Sequence, residues 1–420
     1  MSQQYLYGAS IRGIQRFIFE TNRLQEVIGA SEIVERLCGA LFDSFLEEGG
    51  FSSADCSFIV RAAGNIRFTA ENRAIVEYAV RNFPMFAQRT APGITVAQAA
   101  ESFDGSLSAE TSGRLEQGLR TQQNRLQAPA LVSPMAAVRS RRTGKPAVDW
   151  KDEDAPRDAG VKQKQEFGMG TAPGTLMEKM FSSGDKEKYP FDVEDICSGS
   201  SSWLAVIHAD GNSLGKVIQG LSSAGGESSG IFREFSEALN RSTCAAARAA
   251  AEKTVLPAIN EKGRKKYPVR PVILGGDDLT VIIRADLAVD FTMEYLRAFG
   301  EETKKNLKGL AERTGMKSLE DGLSACAGIA FMKSSFPFHF AVHLADELCA
   351  DAKKELGRRT GFSFHKIQGS FVRSYGDIIE RELTPHGGLS FKYGPYTLDK
   401  AETLRTQVRD ILKAEAPASG

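Results

Sequence analysis

The chemistry-bearing residues of this chain gather in two short motifs. Gly275-Gly276-Asp277-Asp278 lies between two apolar runs of strand character, 269–274 and 279–284. Two glycines allow a tight hairpin with positive φ and a close backbone approach to a ligand. Adjacent acids at its tip project to opposite sides, so at least one faces a site. Read alone, the tetrapeptide is also an ordinary turn, because Gly-Asp pairs are common there. The second motif, Asp210-Gly211-Asn212-Ser213-Leu214-Gly215, places an acid at the C-terminal end of the apolar run 202–209. A small turn leading to a helix presents N–H groups to a phosphate, and the acid holds a cation bridging that phosphate. A purely structural strand-to-helix turn has the same composition.

In a β-α-β-β unit the first strand lies beside the hairpin, so Asp210 and Asp277 are expected to meet at one sheet edge. Unit charges about 4 Å apart repel by about 4 kcal/mol at an effective dielectric near 20. Such carboxylates call for Mg²⁺ or Mn²⁺, which also takes nucleotide phosphates. The chemistry indicated is metal-dependent attack of a hydroxyl on an α-phosphate. The expected catalytic residues are Asp210, Asp277 and Asp278, and the expected metal-holding set is Asp210, Gly211, Asp277 and Asp278. The nucleotide is expected on Gly211, Asn212, Ser213, Leu214, Gly215, Gly275 and Gly276. Lys353, near the end of a late helix, reaches a triphosphate as a point charge or caps a solvated helix terminus.

The elements that must position these residues follow an α+β pattern. A strand at 5–10 precedes a helix at 31–46, where Ile33, Leu37, Leu41 and Phe45 recur every four residues and Ser31 is the expected N-cap. Strands at 56–62 and 65–70, a helix at 71–83 and a strand at 93–97 complete β-α-β-β-α-β. The same order returns from residue 202: strand 202–210, helix 230–252, the hairpin, helix 287–310, strand 323–332, helix 337–356 and a short strand at 362–367. Two ferredoxin-like palms related by duplication are expected. The boundaries read 1–115 for a first, degenerate palm and 116–198 for an insert poor in apolar periodicity. A second palm follows at 199–370, then a tail at 371–420 with an amphipathic helix at 398–412.

Composition narrows the function classes. The 53 basic and 53 acidic residues of the 420 balance, which argues against bulk coating of nucleic acid. No run approaches 18 apolar residues, so no membrane span is expected. The start lacks a secretory signal and the six cysteines are scattered, so a cytoplasmic protein with reduced thiols is expected. The first histidine is His208, and His339, His343, His365 and His386 have no metal-like spacing and no expected role.

Taken together, these motifs resemble the large polymerase/cyclase subunit of type III CRISPR effector complexes, whose palms are shared with GGDEF diguanylate cyclases and class III nucleotidyl cyclases. The stretch opening Tyr5-Leu-Tyr-Gly8 is similar to that family's first palm. Asn65 stands where the first palm's hairpin would carry acids. Arg142-Thr-Gly-Lys-Pro146 resembles the inter-palm linker. Asp210-Gly-Asn, the Gly-Gly-Asp-Asp hairpin, Ala327-Gly-Ile-Ala330, Ala352-Lys353 and Pro395-Tyr-Thr-Leu398 fit the family's second palm and the tail behind it. The resemblance implies ATP between the palms, with metals on Asp210 and Asp277 and support from Asp278. It also implies a product, cyclic oligoadenylate, that serves as a second messenger in antiviral defence. Implied partners are the other effector subunits with crRNA and target RNA. Against the family's pattern, the given sequence is expected to carry no His-Asp nuclease domain before the first palm, no zinc-binding cysteines in the linker and no long C-terminal helical domain. A stand-alone homodimeric enzyme, a GGDEF-like dinucleotide cyclase and a non-catalytic nucleotide- or RNA-binding scaffold are therefore the alternatives.

Overall fold

The computed structural model describes residues 3–415 apart from 63, 106, 126–133, 151–154, 170–173, 182–184, 198–201, 224–227, 261–264, 370–373 and 385–388; His386 lies outside them. Two antiparallel arrangements with the same internal order dominate. Strands β1 (Gln3–Arg12), β2 (Ser57–Ala62), β3 (Asn65–Ala70) and β4 (Thr95–Asp104) form a sheet ordered β2-β3-β1-β4. A two-stranded ladder comes next, β5 (Asp149–Trp150) with β6 (Pro156–Arg157). The second sheet, ordered β12-β11-β10-β7-β9-β8, contains β7 (Trp203–Gly211), β8 (Val269–Gly275), β9 (Asp278–Arg284) and β10 (Ala325–Lys333). β11 (Gly361–Lys366) joins parallel to β10, and β12 (Tyr396–Thr397) closes that edge. Its four antiparallel strands β8-β9-β7-β10 repeat the 2-3-1-4 order of the first sheet.

Several expected elements differ in extent. The single helix expected at 31–46 is two helices, Leu24–Leu37 and Ala40–Glu48, because the chain breaks at Gly39. Apolar Leu24, Val27 and Ile28 carry the helical face upstream, so Ser31 is not an N-cap. It lies buried inside the helix, its hydroxyl donating to the Val27 carbonyl at 2.8 Å. The helix expected to stop at 83 runs as Arg73–Thr90 through Pro84. β4 extends to Asp104 because it pairs with the whole of β1.

The region read as an insert holds more structure than its composition suggests. The helix Ala109–Gln123 crosses the expected division at 115 and buries Leu115 and Leu119 against Leu6 and Phe103. The helix Ala159–Met169 lies across Leu24–Leu37 at very close range. A Cβ on Gly29 would stand 1.7 Å from the Lys164 carbonyl oxygen, and one on Gly168 would stand 2.5 Å from that of Gln25. Only glycine permits this backbone approach. Gly29→Ala is therefore expected to cost about 1–3 kcal/mol by overpacking, read as a lower Tm with earlier proteolysis at 159–169; an unchanged Tm would contradict the contact.

The helices Ser228–Ala250 and Ala288–Thr314 cover one face of the second sheet, in a core with Ile207, Leu279 and Val281. Phe338–Leu356 covers the other face. There Val206, Ile282 and Leu348 share one apolar cluster with Ile28, Ile33 and Phe42 of the first half. Because burial is continuous across the two halves, the hairpin has a fixed setting against the first sheet. Among the described residues, no helix is long and apolar enough to cross a membrane, and none of the six cysteines is in a disulfide.

Candidate active site

The site forms where β7 ends beside the β8–β9 hairpin. The ladder places Ala209 opposite Leu279, and continuing one step sets Asp210 beside Asp278. In the turn, Gly275 pairs with Asp278, and Gly276 has φ 63°, a left-handed conformation that favours glycine. Three elements hold this tip. From the helix Ser228–Ala250, Asn240 Oδ1 accepts from the Gly276 N–H at 3.2 Å, and Thr243 Oγ1 donates to the Gly276 carbonyl at 2.7 Å. From the segment before β7, Lys179 Nζ donates to the Leu274 carbonyl at 3.3 Å while pairing with Glu35 of the helix Leu24–Leu37.

Carboxylate oxygens of Asp210, Asp277 and Asp278 all lie within 4.8 Å of one another. Burial, then the neighbouring Asp210 and Asp278, pushes the Asp277 carboxyl up to about 8. Burial and the Asp210 charge push Asp278 up to about 7, with Lys353 opposing the rise. Three acids so placed cannot all ionise without cationic charge among them. Lys353 supplies part of it: its Nζ contacts the Asp210 carboxylate and donates to the Gly211 carbonyl at 2.9 Å. The lysine is thus at the acid cluster and is not merely a solvated helix end.

The turn after Asp210 divides its tasks. A Cβ on Gly211 would stand 2.7 Å from Leu214 Cδ1 and 3.3 Å from Asp277 Cβ, so this glycine lets the two motifs approach. Asn212 is buried and ties the turn to the chain before β10: its N–H donates to the Ser324 carbonyl at 2.8 Å and its Nδ2 to Ser324 Oγ at 3.0 Å. Its Oδ1 is buried with no hydrogen-bond partner among the described residues. Ser213 has φ 58°, and its carbonyl accepts from Lys216 as the helix Leu214–Ser223 begins. First-turn N–H groups of that helix, Leu214 and Gly215 among them, have no partner within the helix itself. At Gly215 an added Cβ would meet nothing, so packing does not demand glycine there.

Two further residues escaped the sequence reading. His208 is buried, with Nδ1 3.1 Å from Thr280 Oγ1 and Nε2 3.5 Å from Asp346 Oδ1. Burial lowers its pKa, which favours the neutral ring. Spacing could have found both: His208 lies two residues before Asp210 on a strand, and Asp346 lies two turns before Lys353 on a helix.

A cavity of about 380 Å³ opens between the halves beside the acids, lined by Gly276 and Asp277 on one side and by Leu6, Asn65 and Arg67 on the other. Asn65, at the turn of the β2–β3 hairpin, thus lines the same cavity as Asp277. Asp278 lines a smaller cavity of about 130 Å³ on the far side of the hairpin, with Gln15, Glu35 and Gly64.

A mixed α+β unit with acids gathered on a hairpin and its neighbouring strand defines a palm-type domain. Residues 203–362 match the family model described as Cas10/Cmr2, second palm domain. Solved structures sharing its fold include a Csm1–Csm4 cassette in complex with pppApApA, at TM-score 0.58 and 16% identity, covering 97% of this chain and 58% of the other. A Csm1–Csm4 cassette in complex with cA3 matches at TM-score 0.57 and 15% identity, with coverages of 97% and 58%. The Csm1–Csm4 subcomplex of the type III-A CRISPR-Csm interference complex matches at TM-score 0.54 and 14% identity, covering 85% and 54%. The chain therefore spans a little over half the length of the chains it resembles. No curated protein matches it by sequence.

Proposed function

We propose that this chain is a metal-dependent nucleotidyltransferase that joins ATP into a cyclic oligoadenylate-type second messenger, acting with type III CRISPR effector subunits and their RNA in antiviral defence. The observation that carries this reading is the meeting of Asp210, Asp277 and Asp278 oxygens within 4.8 Å at the hairpin edge. The solved relatives complexed with pppApApA and cA3 support adenylate as the substrate class. In this reading both halves are ferredoxin-like palms, the second is active and the first is degenerate at Asn65.

The residues present fit a divalent ion. Three hard oxygen donors share one edge, and burial together with the neighbouring carboxylates pushes two of those acids toward protonation. Asp210 and Asp277 would hold Mg²⁺ or Mn²⁺, with Asp278 and the Gly211 carbonyl in support. Such an ion would supply charge neutralisation at the α-phosphate and a more acidic attacking 3′-hydroxyl. The chain's own groups do the rest. The cavity between the halves receives a nucleotide beside Asp277 and limits water there. Lys353 and the first-turn N–H groups of Leu214 and Gly215 face the triphosphate. Asn240, Thr243 and Lys179 keep the hairpin from shifting as charge develops. The 3′-oxygen forms a bond to the next α-phosphorus and pyrophosphate departs.

Incubation with ATP and Mg²⁺ or Mn²⁺, with and without candidate effector subunits and target RNA, tests the reading by product mass. Cyclic adenylates of three or more units are expected. A cyclic dinucleotide would favour the GGDEF-like alternative, and unchanged ATP under every condition would favour the scaffold.

A further inference from the structure

Lys353 touches the two kinds of oxygen that a divalent ion would take at this edge. Its Nζ contacts the Asp210 carboxylate and lies 2.9 Å from the Gly211 carbonyl oxygen. A carboxylate and a backbone carbonyl are hard donors of the sort Mg²⁺ and Mn²⁺ prefer. The lysine's backbone is held in place. It sits in the last turn of the helix Phe338–Leu356, where the helix dipole favours a cation. That helix is seated on β10 through Gly328, whose Cβ would stand 2.0 Å from the Ala345 carbonyl oxygen. The four-carbon stem is free to swing while its root stays fixed. An ammonium and a divalent ion cannot share the same two oxygens, because their like charges would stand within a few ångströms.

We propose that the Lys353 ammonium is a built-in stand-in for the divalent ion: it holds Asp210 and the Gly211 carbonyl together without nucleotide, and it leaves them for the triphosphate when ATP arrives. Resting on the function proposed above, this predicts an order of binding, in which the metal enters with the nucleotide rather than ahead of it. The stand-in keeps the donors assembled and prevents futile metal loading. The triphosphate then provides the counter-charge that draws the ammonium away.

The test is Mn²⁺ binding to the full chain, followed by electron paramagnetic resonance at fixed pH, with and without an ATP analogue blocked at the α–β bridge. Wild type is expected to bind Mn²⁺ weakly alone and tightly with the analogue. Lys353→Met and Lys353→Gln, checked for folding by circular dichroism, should bind Mn²⁺ alone about ten-fold or more tighter than wild type. Lys353→Arg, which keeps the charge, should stay near wild type. Equal nucleotide-free affinity in wild type and both neutral variants would overturn the stand-in role while leaving the metal site intact. Failure of every form to bind Mn²⁺, with or without the analogue, would overturn the metal-site reading and this proposal with it.

Discussion

Replacing Asp277 and Asp278 together by asparagine should lower adenylyl transfer by roughly three orders of magnitude or more, the scale seen when charge-stabilising groups at a reaction centre are lost, while making the metal-free protein more stable. Both effects have one cause. The acids are held against Asp210 in a partly buried edge, which is costly without a cation and useful with one. The same cause sets the sign of the pH dependence. Both folded carboxyls titrate far above the ordinary Asp value of 3.8, at about 8 and about 7. The folded state therefore binds more protons than the unfolded state between these limits, and stability falls as pH rises. The contribution is fully present below about pH 4 and is lost as pH rises through 7 to 8. Thermal melts in chelator at pH 6 and pH 8.5 should show wild type losing more Tm than the double variant. Added Mg²⁺ should restore Tm at the higher pH in wild type only. Equal pH dependence in the two proteins would remove the electrostatic basis of the site.

Gly328→Ala should damage both stability and turnover. The added Cβ would meet the Ala345 carbonyl oxygen at 2.0 Å, Cys349 N at 2.7 Å and Leu348 Cβ at 2.8 Å. These atoms belong to a regular helix seated on a central strand, so no flexible side-chain tip can give way. Overpacking of this kind costs about 1–3 kcal/mol and occasionally more, and a unit of 150–250 residues loses roughly 2–4 °C of Tm for each kcal/mol. The helix would ride away from β10, taking Lys353 and Asp346 with it. The expected result is a lower Tm with a higher KM for ATP. Gly309→Ala is the control, on the helix Ala288–Thr314 with nothing near an added Cβ; helix propensity favours alanine there by up to about 1 kcal/mol. If Gly328→Ala behaved like Gly309→Ala, the close seating of the helix would be wrong.

How much of the fold and site is legible in the sequence depends on the range of the interaction. Strand alternation and the Gly-Gly turn make β7, β8 and β9 readable, and strand adjacency alone brings Asp210 to the acids of the hairpin. Helix limits are less legible, because Gly39 interrupts a face whose periodicity continues and Pro84 sits inside a helix held by tertiary packing. The 116–198 region reads as a linker because its helices are short and partly polar. What orders Ala159–Met169 is a glycine-to-glycine crossing with Leu24–Leu37, a contact between residues over a hundred positions apart. The same limit explains the site. Asn240, Thr243 and Lys179 grip the hairpin from distant stretches, and Lys353 reaches Asp210 across 143 positions. Sequence alone leaves two readings for that lysine, and the fold seats it against Asp210 by placing Phe338–Leu356 over β7.

The central claim is that the acid cluster of the second palm makes new phosphodiester bonds from ATP. The most direct measurement is pyrophosphate release from ATP by the full chain in Mn²⁺ or Mg²⁺, with effector subunits and target RNA supplied, for wild type beside Asp210→Asn and the Asp277→Asn/Asp278→Asn double variant. Metal-dependent release by wild type, lost in folded samples of both variants, is the result this account predicts. Equal release by wild type and the variants would contradict it.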